Sequence, residues 1–174
     1  MQKILLIINT LRYLKLIQVW YQIRYRIKFI RINRQKFSRL RYENSIWEWF
    51  HNDIECTSDG KLFTFLCETH QISQDWNPKK IQKLWLYNLH YQDILNSRKT
   101  IFPEAQREKL INNWIEYNPP FEGNGWEPYC LSLRVVNWVK YISSRGVDKC
   151  PKLWLDSLAE QTNALHWQIE YHIQ

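Results

Sequence analysis

Glycine is scarce in this sequence, with four in 174 residues, and none stands in a phosphate-cradling pattern. No GxGxxG follows a strand, and no Walker-type loop, GxSxG elbow or HExxH helix is present. Nucleotide-binding, serine-hydrolase and zinc-protease chemistries therefore have no motif to stand on. Cysteine is equally sparse. Cys56, Cys67, Cys130 and Cys150 form no CxxC pair and have no histidine at zinc-site spacing, so they read as free thiols of a reducing compartment, with no metal and no cofactor implied. Long apolar runs are missing too. Ile4–Ile8 is too short for a signal-peptide core, and no stretch nears the ~18 apolar residues of a spanning helix. The expected location is the cytoplasm or the periphery of the inner membrane surface.

Acidic residues are absent from the first 42 positions, and this absence organises the charge. Met1–Tyr42 carries eleven Lys/Arg and no Asp or Glu, whereas the remainder holds thirteen basic and seventeen acidic residues, so the net +7 is local. Such a block can meet an anionic lipid surface, a nucleic acid or an acidic polysaccharide. Nucleic acid is the weakest of the three, because no recognition motif accompanies the charge. Tyr13, Leu16, Ile17, Trp20, Ile23, Ile27 and Ile30 recur at helical spacing, with Arg12, Lys15, Arg26, Lys28 and Arg31 largely off the stripe. Helix is expected over residues 2–38, with room for one break near Asn33. It either lies on an anionic membrane surface or packs its stripe on the domain.

Three segments follow in order: the basic helix at 1–42, an irregular stretch at 43–78, and helices over 79–174. In the middle stretch Ser58-Asp59-Gly60 signals a turn and Lys61–Leu66 a short strand, with Gln71–Ser73 as its partner. Beyond it, helices are expected at Lys79–Asn96, Pro103–Tyr117, Pro128–Ser144 and from Pro151 onward, with Gly146 closing the third. The fold class is mainly α, with a small β insertion near residues 44–77 and antiparallel helix pairs. Ten Trp and ten Tyr suit either a packed helical core or a sugar-stacking surface.

The most informative stretch is NPPFEGNGWEPYCLSLRVVNW, Asn118–Trp138. Pro119 and Pro120 stop a helix, Gly123 and Gly125 allow positive φ, and Pro128 opens the next helix, where Leu131, Leu133, Val136 and Trp138 are expected to be buried. Together with LWLYNLHYQDIL (Leu84–Leu95), SLAEQTNALHWQIEYH (Ser157–His172) and TLRYLKLIQVWYQIRYRI near the start, it resembles the N-terminal half of the heparinase II/III family. These are polysaccharide lyases built on an α/α toroid, and the version in question is linked to bacterial capsule and surface polysaccharides. The resemblance implies an incomplete toroid and an acidic polysaccharide as the partner of the intact protein. It also implies β-elimination: a uronic carboxylate is neutralised, a Tyr or His removes the adjacent proton, and the glycosidic bond breaks. In that family the helix bearing a triplet like Glu170-Tyr171-His172 runs on into a Gly-Asn-His motif, with the catalytic Tyr and His further downstream. No position up to Gln174 matches them, so no catalytic residue is assigned and the chain reads as a truncated lyase, inactive alone. The alternative is a non-catalytic module that binds an anionic glycan or a membrane surface.

Candidate substrate-binding residues are Asn88, His90, Tyr91, Trp126, Glu127, Arg134 and Asn137. Asn88, His90 and Tyr91 could position sugar hydroxyls, or His90 could be a satisfied core histidine. Arg134 and Asn137 share a helix face. The guanidinium could clamp a uronate with two hydrogen bonds, or instead tie helices together by pairing with Glu127 or another acid. Glu104 and Glu108 read as helix-surface charges, not as a glycosidase dyad.

Overall fold

A computed structural model describes residues 15–17, 20, 57–58, 61–98 and 102–168. Residues 15–17 and 20 belong to a unit spanning Met1–Asn33, the others to Arg34–Gln174. Most of the helix expected over 2–38, and the triplet Glu170-Tyr171-His172, lie outside the described residues. Within the first unit Leu16, Ile17 and Trp20 are helical and 89%, 42% and 62% exposed.

The second unit is mainly helical. Its sheet is antiparallel, with order β1 (Thr57–Ser58), β2 (Leu62–Phe65) and β3 (Glu68–Gln71). The partner of the Lys61–Leu66 strand is thus Glu68–Gln71 and not Gln71–Ser73. The register Phe63↔His70 and Phe65↔Glu68 leaves only Leu66 and Cys67 in the turn, at φ 54° and 62°. Two successive positive φ values make the tight hairpin that twisted strands prefer, and neither residue announces it as Asn-Gly would.

Four helices follow: α1 (Lys83–Tyr91), α2 (Glu104–Tyr117), α3 (Pro128–Arg145) and α4 (Lys152–Gln168). The last three match their expected starts, and Gly146 at φ 88° ends α3. The first is shorter than its pattern. Pro78–Ile81 closes a turn before it, and Gln92 at φ 55° breaks it, so Asp93–Asn96 continues as a 3-10 turn. Side chains of α3 hold the break in place. Asn137 Nδ2 donates to the released Tyr91 carbonyl at 2.9 Å, and Trp138 Nε1 to Gln92 Oε1 at 2.6 Å.

α3 packs on α1 and α4, and α2 also meets α4. Its buried stripe is Cys130, Leu131, Arg134, Asn137, Trp138, Tyr141 and Ile142. Strict helical spacing therefore places Arg134 and Asn137 on the core face, while Val136 is 49% exposed and Leu133 only half-buried. Expecting Leu133 and Val136 in the core followed their hydrophobicity and ignored that period.

Tryptophan dominates the core, and each ring spends its single N–H on a different segment. Trp76 donates to Asn113 Oδ1 (2.8 Å), Trp85 to the Glu68 carbonyl (3.1 Å), and Trp114 to His90 Nδ1 (3.1 Å). Trp126 donates to the Asn118 carbonyl (3.2 Å), and Trp154 to Asn112 Oδ1 (2.7 Å). Glu104 and Glu108 on α2 both receive Arg145 of α3, so this pair does serve as surface charge.

Candidate functional site

Lys83, Tyr87 and Tyr91 recur every four residues along α1 and face the start of α3. There Pro128 occupies the first helical turn, where its missing N–H costs nothing. Glu127, just before it, accepts from two sides: Lys83 Nζ lies 2.8 Å from its Oε1, and the Tyr87 hydroxyl donates to its Oε2. The hydrogen bond to Glu127 holds the Lys83 ammonium above its usual pKa. Burial, then Glu127, raises that of Tyr87. The rings of Tyr87 and Tyr91 lie 6.4 and 5.7 Å from that of Tyr129, which is 60% exposed. Charge, phenol and open aromatic face thus meet at one surface, equipped to hold a polar, flat-sided ligand.

Beneath this surface the polar groups are sealed. His90 is fully buried, and its Nδ1 can only accept, because the Trp114 indole can only donate. Its proton therefore sits on Nε2, 3.2 Å from Asn77 Oδ1, which also accepts the Asn124 amide at 2.9 Å. Burial first, and then the charge of Arg134, push the His90 pKa down to about 3. Gly125 closes over the ring. A Cβ there would come within 2.6 Å of Nδ1, so this glycine answers to close approach, whereas Gly123 has the positive φ of 73°. Positive φ at Gly125 was the wrong expectation.

Arg134 is also fully buried, and its guanidinium lies 3.8 Å over the Trp114 ring. Nε donates to Gln161 Oε1 at 2.8 Å and a terminal nitrogen to the His90 carbonyl at 3.3 Å; the other has no protein partner among the described residues. Burial lowers its pKa to about 9, so it stays charged at neutral pH. It does not pair with Glu127. It ties α3 to α1 and α4 through neutral acceptors.

The remaining candidates divide between these layers. Asn137 donates to the Tyr91 carbonyl and, at 2.7 Å, to Asp93 Oδ1, while Trp126 is buried with its ring 5.3 Å from that of Phe121. Asn88 turns back on its own helix, donating to the Leu84 carbonyl at 2.8 Å. Tyr91 is 7% exposed, and only Glu127 and Asn88 keep substantial contact with solvent. Lys83, Tyr87, Asn77 and Gln161 were missed as members of the constellation. The Lys83–Tyr87–Tyr91 spacing was the signal for the first two; Asn77 and Gln161 carried none. Among the described residues no group of three His, Cys, Asp or Glu could hold a metal ion, and no helix is long and apolar enough to cross a membrane.

Comparison with models of known protein families, with characterised proteins and with solved structures finds no match to this chain.

Proposed function

We propose that this chain supplies the leading helices of an α/α toroid in a heparinase II/III-like lyase acting on an acidic polysaccharide linked to capsule or cell surface. One observation carries the reading: the described parts of three of the quoted segments meet at one buried node. His90 comes from the first, Arg134 and Gly125 from the second and Gln161 from the third, joined by the contacts of Arg134 and His90. Residues that carry the resemblance thus serve as framework behind the Glu127–Tyr87–Lys83 surface, and that surface is one part of the chain offered to a glycan. In this reading residues 1–174 lack the proton-transfer groups of β-elimination.

The reading frame downstream of Gln174, together with the intact mass of the native protein, tests the proposal. A frame encoding Gly-Asn-His and later a Tyr and a His supports it, as does the absence of any unsaturated-uronide ultraviolet signal from residues 1–174 on acidic polysaccharides. Turnover by these residues alone overturns it.

A second reading is supported by a separate observation, the exposure of Leu16, Ile17 and Trp20 on helical backbone within the +11 segment. In it, residues 1–42 hold the protein to an anionic membrane surface.

A further inference from the structure

A cleft of about 560 Å³ opens between the β2–β3 hairpin and α2, away from the Glu127 surface. That volume lies in the range of small-ligand sites. Phe63, Trp76 and Phe102, all nearly buried, give it an apolar floor. Its walls are polar in a particular sense.

Asn112 and Asn113 both line the cleft, and both have their amide orientation fixed by tryptophan. An indole N–H can only donate, so Trp76 and Trp154 each capture a carbonyl oxygen, at 2.8 and 2.7 Å. What remains on each asparagine is a pair of N–H donors with no other side-chain partner among the described residues. Tyr117 is set the same way: its oxygen accepts from Gln74 Nε2 at 3.1 Å, which leaves its own proton to be donated. Lys109 stands one helical turn before Asn113, is exposed, and has no ion pair among the described residues. Lys61 lines the strand side with a partner of its own, and Glu116 is the one carboxylate of the lining.

Unspent N–H and O–H donors, the Lys109 ammonium and an apolar floor fit an anionic ligand with an apolar face. Gln71 and Gln74 in the lining add the amide oxygens that can accept from sugar hydroxyl groups. We infer that this cleft binds an acidic oligosaccharide, seating the carboxylate of one sugar residue between the Lys109 ammonium and the Asn113 amide. Choosing a sugar as the ligand rests on the glycan-handling reading above; the cleft and its donor set do not.

The test is calorimetric titration of the whole chain at physiological salt with trigalacturonate and with its methyl ester, which keeps the shape and removes the charge. Binding of the acid and a loss of at least about tenfold for the ester are expected. Lys109→Gln, a change at an exposed position, should weaken binding several-fold. Asn113→Asp retains an oxygen for Trp76 and replaces the cleft-facing donors with an acceptor, so it should abolish binding while the melting temperature stays near wild type. Equal binding of acid and ester, no measurable binding of either, or binding untouched by both substitutions overturns the inference. The last outcome would place the anion on the basic segment 1–42. A frame beyond Gln174 without the lyase motifs would end the lyase proposal and leave the titration standing.

Discussion

The Trp114 indole N–H points at His90 Nδ1 across 3.1 Å, and this contact alone sets the tautomer of the buried imidazole. With Nδ1 an acceptor and Nε2–H directed at Asn77, a second proton has no place to go without breaking the bond to Trp114.

Acid should therefore unfold the chain through His90. Its folded pKa of about 3 lies below the unfolded value of 6.5, so the unfolded state binds the extra proton between those limits. The stabilisation is complete above pH 6.5 and is lost as pH falls toward 3, at up to about 1.4 kcal/mol per pH unit from this group. His90→Gln can keep both hydrogen bonds without titrating. Urea unfolding at pH 7 and 4.5 should show a smaller pH dependence in that variant, by about one proton; identical slopes would refute the assignment.

Arg134 should behave as a buried tie. Arg134→Ala removes partners of Gln161 and the His90 carbonyl and leaves a cavity over Trp114, which together should cost about 3 kcal/mol or more. Arg134→Met fills the space without a buried charge and should cost less. Denaturant midpoints for the two variants check the order. In the lyase proposed above both should leave the specific activity of the folded fraction intact, and a fall in that activity would return Arg134 to the substrate.

The β2–β3 turn carries avoidable strain. Leu66 and Cys67 both sit at positive φ, and Leu66 is 55% exposed, so little packing is at stake. Replacing the pair with Asn-Gly should stabilise the hairpin by about 1–2 kcal/mol. An unchanged or lower melting temperature would count against the turn geometry.

Membrane association, if present, should depend on Leu16 and Trp20. Their joint replacement by Glu should abolish cosedimentation with anionic vesicles while the wild type binds and is released by high salt. Equal binding by wild type and variant, or binding to neutral vesicles alone, would contradict this.

Much of the helical frame was legible because prolines and a glycine punctuate it: Pro103, Pro128 and Gly146 stand at observed helix boundaries. The break at Gln92 was not, since its cause lies in Asn137 and Trp138, more than forty residues away. The hairpin turn was missed for the opposite reason. Leu-Cys is a poor turn sequence locally, and strand pairing on both sides overrides it. At the site, the residues picked for their chemistry proved to be neighbours, but their burial was hidden because polarity alone does not say which face of a helix is covered. Counting the period through Leu131, Arg134 and Trp138 would have placed Arg134 inside.

The tryptophans give the core a limited tolerance for drift. Elsewhere an exchange of one aromatic ring for another of similar size passes with little effect, because oily contact is indifferent to direction. Here Trp76, Trp85, Trp114, Trp126, Trp138 and Trp154 each deliver a directed N–H to an acceptor on another part of the chain. A phenylalanine at Trp114, Trp126 or Trp138 would preserve greasiness and strand one acceptor in a dry interior. Lineages descending from this protein should thus keep their indoles while neighbouring leucines and isoleucines interchange, and an indole lost from one of these positions should be accompanied by a change in the residue that received its proton.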